Sequence, residues 1–219
     1  DVTIITPSLG VPSGWLPAVE IYGEGIFLRF DEAAINSWEN DPAVVNKLAE
    51  THRLWQESQS AWLPEPTPRF VALHTLAHLL IRQLTFECGY SSASLREKIY
   101  SASPEQGEAM AGILIYTAAG DAEGSLGGLV RQAEHPRLIR TLASAVSKAS
   151  WCSSDPVCSE VRSGTKGLNT GACHACSLVA ETSCTSGNLL LDRALVTGGN
   201  QVPGLFEKLL EATLSIQSP

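Results

Sequence analysis

Long apolar runs are missing from this chain. None approaches the ~20 residues that a membrane-spanning helix needs, and no membrane partner is expected. The opening stretch, DVTIITPSLG, has neither the basic n-region nor the apolar h-region of a secretion signal. That absence favours a cytoplasmic, reducing setting, where cysteines stay as thiols or bind metal rather than pair. An initiating methionine is missing too, so the chain reads as part of something longer, with an upstream signal as the open alternative. A basic excess is also absent: 15 Lys and Arg stand against 23 Asp and Glu, a formal net charge of −8. Domains that grip nucleic-acid phosphates by themselves show the opposite balance, which leaves only local patches at Arg137/Arg140/Lys148 and Arg162/Lys166. No phosphate-binding Gly-Lys loop, nucleophile elbow or nuclease signature occurs, nor any internal repeat or low-complexity segment. Nucleotide hydrolysis and DNA cleavage by this chain alone are therefore not expected.

What is present is enough for a globular protein. The chain has 219 residues, 44% hydrophobic and 17% charged, sufficient for one sizeable core or two small ones. The expected fold class is mixed α/β (α+β), with helices packed on a small sheet and a cysteine-rich zinc-binding loop region near the C-terminus. Residues 1–17, rich in Pro, Gly and Ser, read as a linker arm. Residues 18–69 read as an N-terminal hairpin and helices followed by a Pro-rich linker, and 70–219 as the zinc-binding domain.

Local patterns fill in the elements. The runs VEIYG and IFLRF, around Gly23 and Gly25, suggest a hairpin. Asp31 and Asp41-Pro42 are helix starts, and prolines 64, 66 and 68 break the pattern. The strongest helix is 70–87, where Leu73, Leu76, Ala77, Leu80 and Leu84 recur at helical spacing while Leu79 and Ile81 widen the stripe, so the helix should be central and buried. SSASLREKIYS (91–101) opens with a cap-like Ser cluster and ends in a short apolar run. Ile113-Leu114-Ile115-Tyr116 is a buried strand candidate. A glycine-rich turn follows, carrying Asp121 and Glu123 without a cation. It suits tight packing better than a phosphate. Further helices are expected after His135-Pro136, over 188–196, and over 204–214.

The chemistry concentrates in residues 151–193, which hold five of the six cysteines: Cys152, Cys158, Cys173, Cys176 and Cys184. Two residues between Cys173 and Cys176 let both sulfurs turn onto one point, as in tetrahedral zinc sites. The stretch is rich in Ser, Gly, Thr and Asn and buries little, so a Zn²⁺ ion whose binding energy is also folding energy would staple it. Four of the five cysteines suffice, with Cys173 and Cys176 the firmest members and His174 a weaker substitute. Disulfides or unligated thiols are the bland alternatives. Cys88 reads as a small buried hydrophobe.

A second constellation lies on the central helix. His74, His78 and Arg82 are four apart and share a face. With Asp121 and Glu123 they form, on paper, a metal- or phosphate-binding hydrolase-like site. Thr75 stands where a zincin would carry Glu. The bland reading is a set of polar residues hydrogen-bonded inside a packed interface.

Several stretches together resemble one family. They are EIYGEGIFLRF (20–30), LHTLAHLLIRQL (73–84), GYSSASLREKIY (89–100), ILIYTAAGDAEGSLGGLV (113–130), WCSSDPVC (151–158), and CHAC followed by ETSCTSGNLLLDRAL (173–195). In this order they are similar to the C-terminal helicase-associated domain of the DrmB proteins of DISARM anti-phage systems, also found at the C-terminus of the MrfA helicases. The resemblance implies cysteine-bound zinc and a cytoplasmic bacterial protein. It also implies a superfamily-two helicase partner of the DrmA kind, DNA engaged through the complex, and an accessory rather than catalytic role.

Overall fold

The computed structural model describes residues 20, 22–117, 127–199, 201–209 and 211. In chain order the elements are β1 (Gly25–Arg29), α1 (Glu32–Glu39), α2 (Pro42–Ser58), α3 (Pro68–Cys88), β2 (Leu95–Tyr100), β3 (Gly112–Thr117), α4 (Gly128–Gln132), α5 (Arg137–Ala149), α6 (Val157–Glu160) and α7 (Ala194–Thr197), with short 3-10 turns between them. The mixed α/β class holds.

Helix α3 begins two residues before the expected start at 70, because Pro68 is a first-turn residue and not part of the break. Thr67 caps it, accepting from the Phe70 N–H at 3.2 Å, Pro68 occupies the first turn, and Gly89 ends it in the left-handed conformation at φ 75°. Its residues from Arg69 to Ile81 are all buried, as are Gln83 and Leu84. Two apolar clusters flank it. In one, Leu73, Leu76, Leu80 and Leu84 meet Ile26, Leu95, Ile113 and Ile115 of the sheet and Ala145 and Val146 of α5. In the other, Phe70 and Val71 meet Val44 and Leu48 of α2 and the loop residues Leu168, Leu189 and Leu190. Both clusters draw on residues before and after the Pro-rich stretch. Buried Arg69 fastens α1 to α3, donating to Glu39 Oε2 at 2.8 Å and Glu32 Oε1 at 2.7 Å.

The sheet has the order β1-β3-β2, antiparallel throughout. Ile26 and Glu97 both face Ile115, and Leu28 and Ile99 both face Ile113. Leu95, Glu97 and Ile99 therefore share the side turned to α3, while Arg96 and Lys98 face out. Glu97 occupies a core position in that alternation.

Two expectations need correction, and one further stretch takes on an element. IFLRF does form β1, but it pairs with β3 and not with the preceding run, part of which lies outside the described residues. The Ser cluster at 91–94 caps only a 3-10 turn and then feeds strand β2. The helix expected over 188–196 is confined to Ala194–Thr197, because Asn188 and Leu190 adopt positive φ and tertiary partners take the backbone groups. Asn169 Oδ1 accepts from Leu191 N–H at 3.1 Å, and Thr75 Oγ1 from Asp192 N–H at 3.0 Å. The helix over 204–214 reaches residues 210 and 212–214, which lie outside the described residues, as does the turn carrying Asp121 and Glu123. At the described end of that turn, the Gly127 and Val130 N–H groups donate to the carboxylate of Glu24 at 2.8 and 3.1 Å. Those two donors already have an anion.

Candidate metal centre

After α5 the chain folds back on itself through Cys152 and α6, then through a turn at Cys173–Cys176. Four sulfurs meet there. Those of Cys152, Cys158, Cys173 and Cys176 all lie within 4.8 Å of one another. Cys152 and Cys173 are 3.5 Å apart, Cys158 and Cys176 3.7 Å, and Cys173 and Cys176 3.8 Å. A tetrahedral ion with four ~2.3 Å sulfur bonds requires edges of about 3.8 Å. All six cysteines are free thiols, so no disulfide competes.

The surroundings fit thiolates. Cys176 Sγ accepts from the Cys173 N–H at 3.3 Å and from the Ser177 hydroxyl at 3.3 Å, and Cys152 Sγ accepts from the Ser154 N–H at 3.4 Å. Burial opposes ionisation of Cys173, but the Ala175 and Cys176 N–H groups and the neighbouring thiols outweigh it and lower its pKa to about 7. Cys158 is pushed the other way, by burial and by the sulfurs of Cys173 and Cys176. One thiol thus ionises readily and a neighbour resists, a mismatch that a divalent cation resolves by stabilising every thiolate at once.

Two arginines brace the centre. Arg82 of α3 donates to the carbonyls of His174 (3.1 Å), Ala175 (2.8 Å) and Leu178 (2.9 Å). Buried Arg193 donates to Ala149 O at 3.0 Å, to Gly171 O at 3.2 Å and to both oxygens of Asp155, whose Oδ2 also accepts from the Cys152 N–H at 2.8 Å. Arg193 was not singled out from the sequence. Its signal, a lone Arg after a leucine run, is indistinguishable from a surface charge. The side chain of His174 is exposed and joins no ligand group among the described residues, and Cys88 rests partly buried against the core.

Cys184 lies elsewhere. It joins His74, His78 and Glu97 in a second group of four buried residues whose donor atoms also lie within 4.8 Å of one another. Buried Glu97 lies 3.0 Å from His74 Nε2, and burial, which alone would discharge that imidazole, is overridden by the carboxylate and by Cys184, raising its pKa to about 10. The paper constellation of His74, His78, Arg82, Asp121 and Glu123 is thus divided. Arg82 serves the cysteine turn, and Asp121 and Glu123 fall outside the described residues. Sequence reasoning missed Glu97, although the unpaired fifth cysteine and the two histidines at i, i+4 both hinted at a further partner.

Comparison with known proteins agrees with this geometry. Residues 76–177 match the family described as "MZB: MrfA Zn-binding domain", a span that contains Cys152, Cys158, Cys173 and Cys176. The chain carries an MrfA-type zinc-binding domain. It is also 45% identical over 189 residues to "DISARM protein DrmB" of Bacillus paralicheniformis, covering 83% of this chain and 33% of that protein. The chain therefore spans about a third of the length of this relative. The MrfA-type span takes in His78 and Glu97 as well, but not His74 or Cys184.

Proposed function

We propose that this chain is a zinc-stapled accessory domain of a bacterial anti-phage complex, in which Cys152, Cys158, Cys173 and Cys176 hold one structural Zn²⁺. In this reading it works in the cytoplasm, docks a superfamily-two helicase of the DrmA kind and meets DNA through that assembly. The observation that carries the reading is the character of the cysteine centre. Four thiols fill a tetrahedral shell and leave no open position for a substrate, the mark of a structural rather than a catalytic zinc. Likeness to a DISARM protein supplies the defence context.

The docking face we assign is the cleft of about 1190 Å³ beside the zinc turn, whose lining includes Arg82, Phe86, Lys148, Trp151 and His174. Phe86 and Trp151 are 78% and 69% exposed, and the Lys148 ammonium sits 4.4 Å above the Phe86 ring. Exposed aromatics with a neighbouring cation resemble the anchors that dominate protein interfaces. Arg137 and Arg140 are also exposed on α5, whereas Arg162 and Lys166 bond internally to Thr51 Oγ1, Gly167 O and Ser58 O. Any basic contact would accordingly come from the α5 side.

The test measures helicase binding and ATP turnover with wild type and with a Phe86→Ala/Trp151→Ala double variant, each also assayed alone. Loss of binding at unchanged zinc content and Tm is the expected result. ATP hydrolysis or DNA cleavage by the chain alone, abolished by His74→Ala/His78→Ala, would overturn the accessory reading.

A further inference from the structure

We propose that His74, His78, Glu97 and Cys184 form a second zinc site, closed and structural, distinct from the four-cysteine centre. The site lies between α3, which supplies both histidines, strand β2, which supplies Glu97, and the loop before α7, which supplies Cys184. All four residues are buried.

The donor atoms converge on a common point, and one hydrogen bond, between His74 Nε2 and Cys184 Sγ, links them. His74 Nε2 lies 3.2 Å from Cys184 Sγ and 3.0 Å from Glu97 Oε1, and His78 Nε2 lies 3.4 Å from the same oxygen. A tetrahedral zinc with ~2.0–2.3 Å bonds sets its ligands roughly 3.2–3.8 Å apart. Yet among the described residues His78 Nε2 and both oxygens of Glu97 have no hydrogen-bond partner despite this proximity. Buried polar atoms without partners are uncommon and call for a missing ion or water. Here three converge on one spot.

The outward-facing atoms are satisfied. His74 Nδ1 faces the Leu190 carbonyl at 3.3 Å, and His78 Nδ1 faces the Ser177 carbonyl at 3.0 Å. A carbonyl only accepts, so each Nδ1 donates its proton outward, and with a cation in place of the Nε2 proton each Nε2 would offer its lone pair inward. Cys184 Sγ accepts from the N–H groups of Ser186 at 3.4 Å and Asn188 at 3.3 Å, the support a thiolate needs and a thiol does not. The positive φ of Asn188 accompanies this turn, and its side chain pins the loop to Val179 N–H and O, both at 3.0 Å. Two imidazoles, one thiolate and one carboxylate are a donor set that suits zinc, and binding would release the protons that the nitrogen and sulfur donors carry. Four ligands and full burial leave no place for substrate, so the ion would fasten the sheet and the C-terminal loop to α3. This inference does not depend on helicase docking.

The experiment counts metal in the intact protein, purified under reducing conditions without added chelator, and reads the zinc environment by X-ray absorption. Expected are two zinc ions per chain in wild type, one in Glu97→Gln, one in Cys173→Ser and none in the double variant. The averaged first shell should contain five sulfur donors to three nitrogen or oxygen donors across the two sites. One zinc per chain in an all-sulfur shell would overturn the proposal, as would two zincs that Glu97→Gln and His78→Ala both leave in place. The absorption measurement needs only wild type, so variants that fail to fold do not block the decision. A wild type that keeps the mixed nitrogen–sulfur site but lacks the all-sulfur one would instead overturn the four-cysteine assignment.

Discussion

The Arg82 guanidinium donates to the Ala175 carbonyl at 2.8 Å, joining the central helix to the turn between Cys173 and Cys176. With the His174 and Leu178 carbonyls bound as well, one side chain fixes three backbone acceptors of that turn. A planar fork can do this and a lysine ammonium cannot reproduce it. Arg82→Ala should cost roughly 1.5–3 kcal/mol, the range for hydrogen bonds to a charged group. Zinc release to a chromogenic chelator should become faster, and Arg82→Lys should recover only part of the loss. Unchanged release kinetics in both variants would mean that the turn is held by its metal alone.

Cys173→Ser removes a thiolate from the four-sulfur centre. The expected outcome is loss of that zinc, protease cleavage within residues 151–178, and destabilisation by several kcal/mol, since the ion's binding energy is also folding energy. Limited proteolysis with and without chelator checks it: chelated wild type should show the cleavage pattern of the variant.

Leu80 stands on α3 at 2% exposure within the sheet-facing core. Leu80→Ala should destabilise by about 2–5 kcal/mol in denaturant unfolding. A change below about 0.5 kcal/mol, typical of surface positions, would contradict the burial.

Glu24 gives a pH-dependent prediction. Burial opposes its ionisation, but the Tyr90 hydroxyl and the N–H groups of Val130, Leu129 and Gly127 outweigh it and hold the carboxyl below its ordinary range. A carboxylate depressed in the folded state contributes stability above its unfolded pKa of about 4.3, and that contribution disappears as pH falls through the folded value. Wild type should therefore exceed Glu24→Gln in Tm at neutral pH, and the gap should shrink as pH falls below about 4. A gap that is constant from pH 7 to pH 3 would assign the difference to packing.

Much of this architecture was legible locally. The leucine spacing marked α3 and the run Ile113–Tyr116 marked β3, because helix and strand periodicity depend only on neighbours a few residues apart, whereas Pro68 read as a break and is the first-turn residue of α3. The Cys-x-x-Cys of Cys173 and Cys176 was equally plain, since its geometry closes within one turn. Strand β2 was obscured by Ser91–Ser94, whose cap-like pattern serves a 3-10 turn, and by Glu97, a carboxylate at a core position. Leu189, Leu190 and Leu191 carry helical composition, yet His74, Thr75, Asn169 and Thr170 take the backbone groups of the loop they begin.

The sequence by itself determined the central helix, the middle strand, and a cysteine stretch too polar to fold without a staple. Only the tertiary structure decided how the cysteines divide. Cys184 is eight residues from Cys176 in sequence, yet its partners are His74, 110 positions earlier, and Glu97 across the core. No local spacing encodes that meeting. It follows from α3 packing over β2 while Asn169 and Thr75 hold the 188–192 loop out of a helix, and those contacts exist only once the chain has closed.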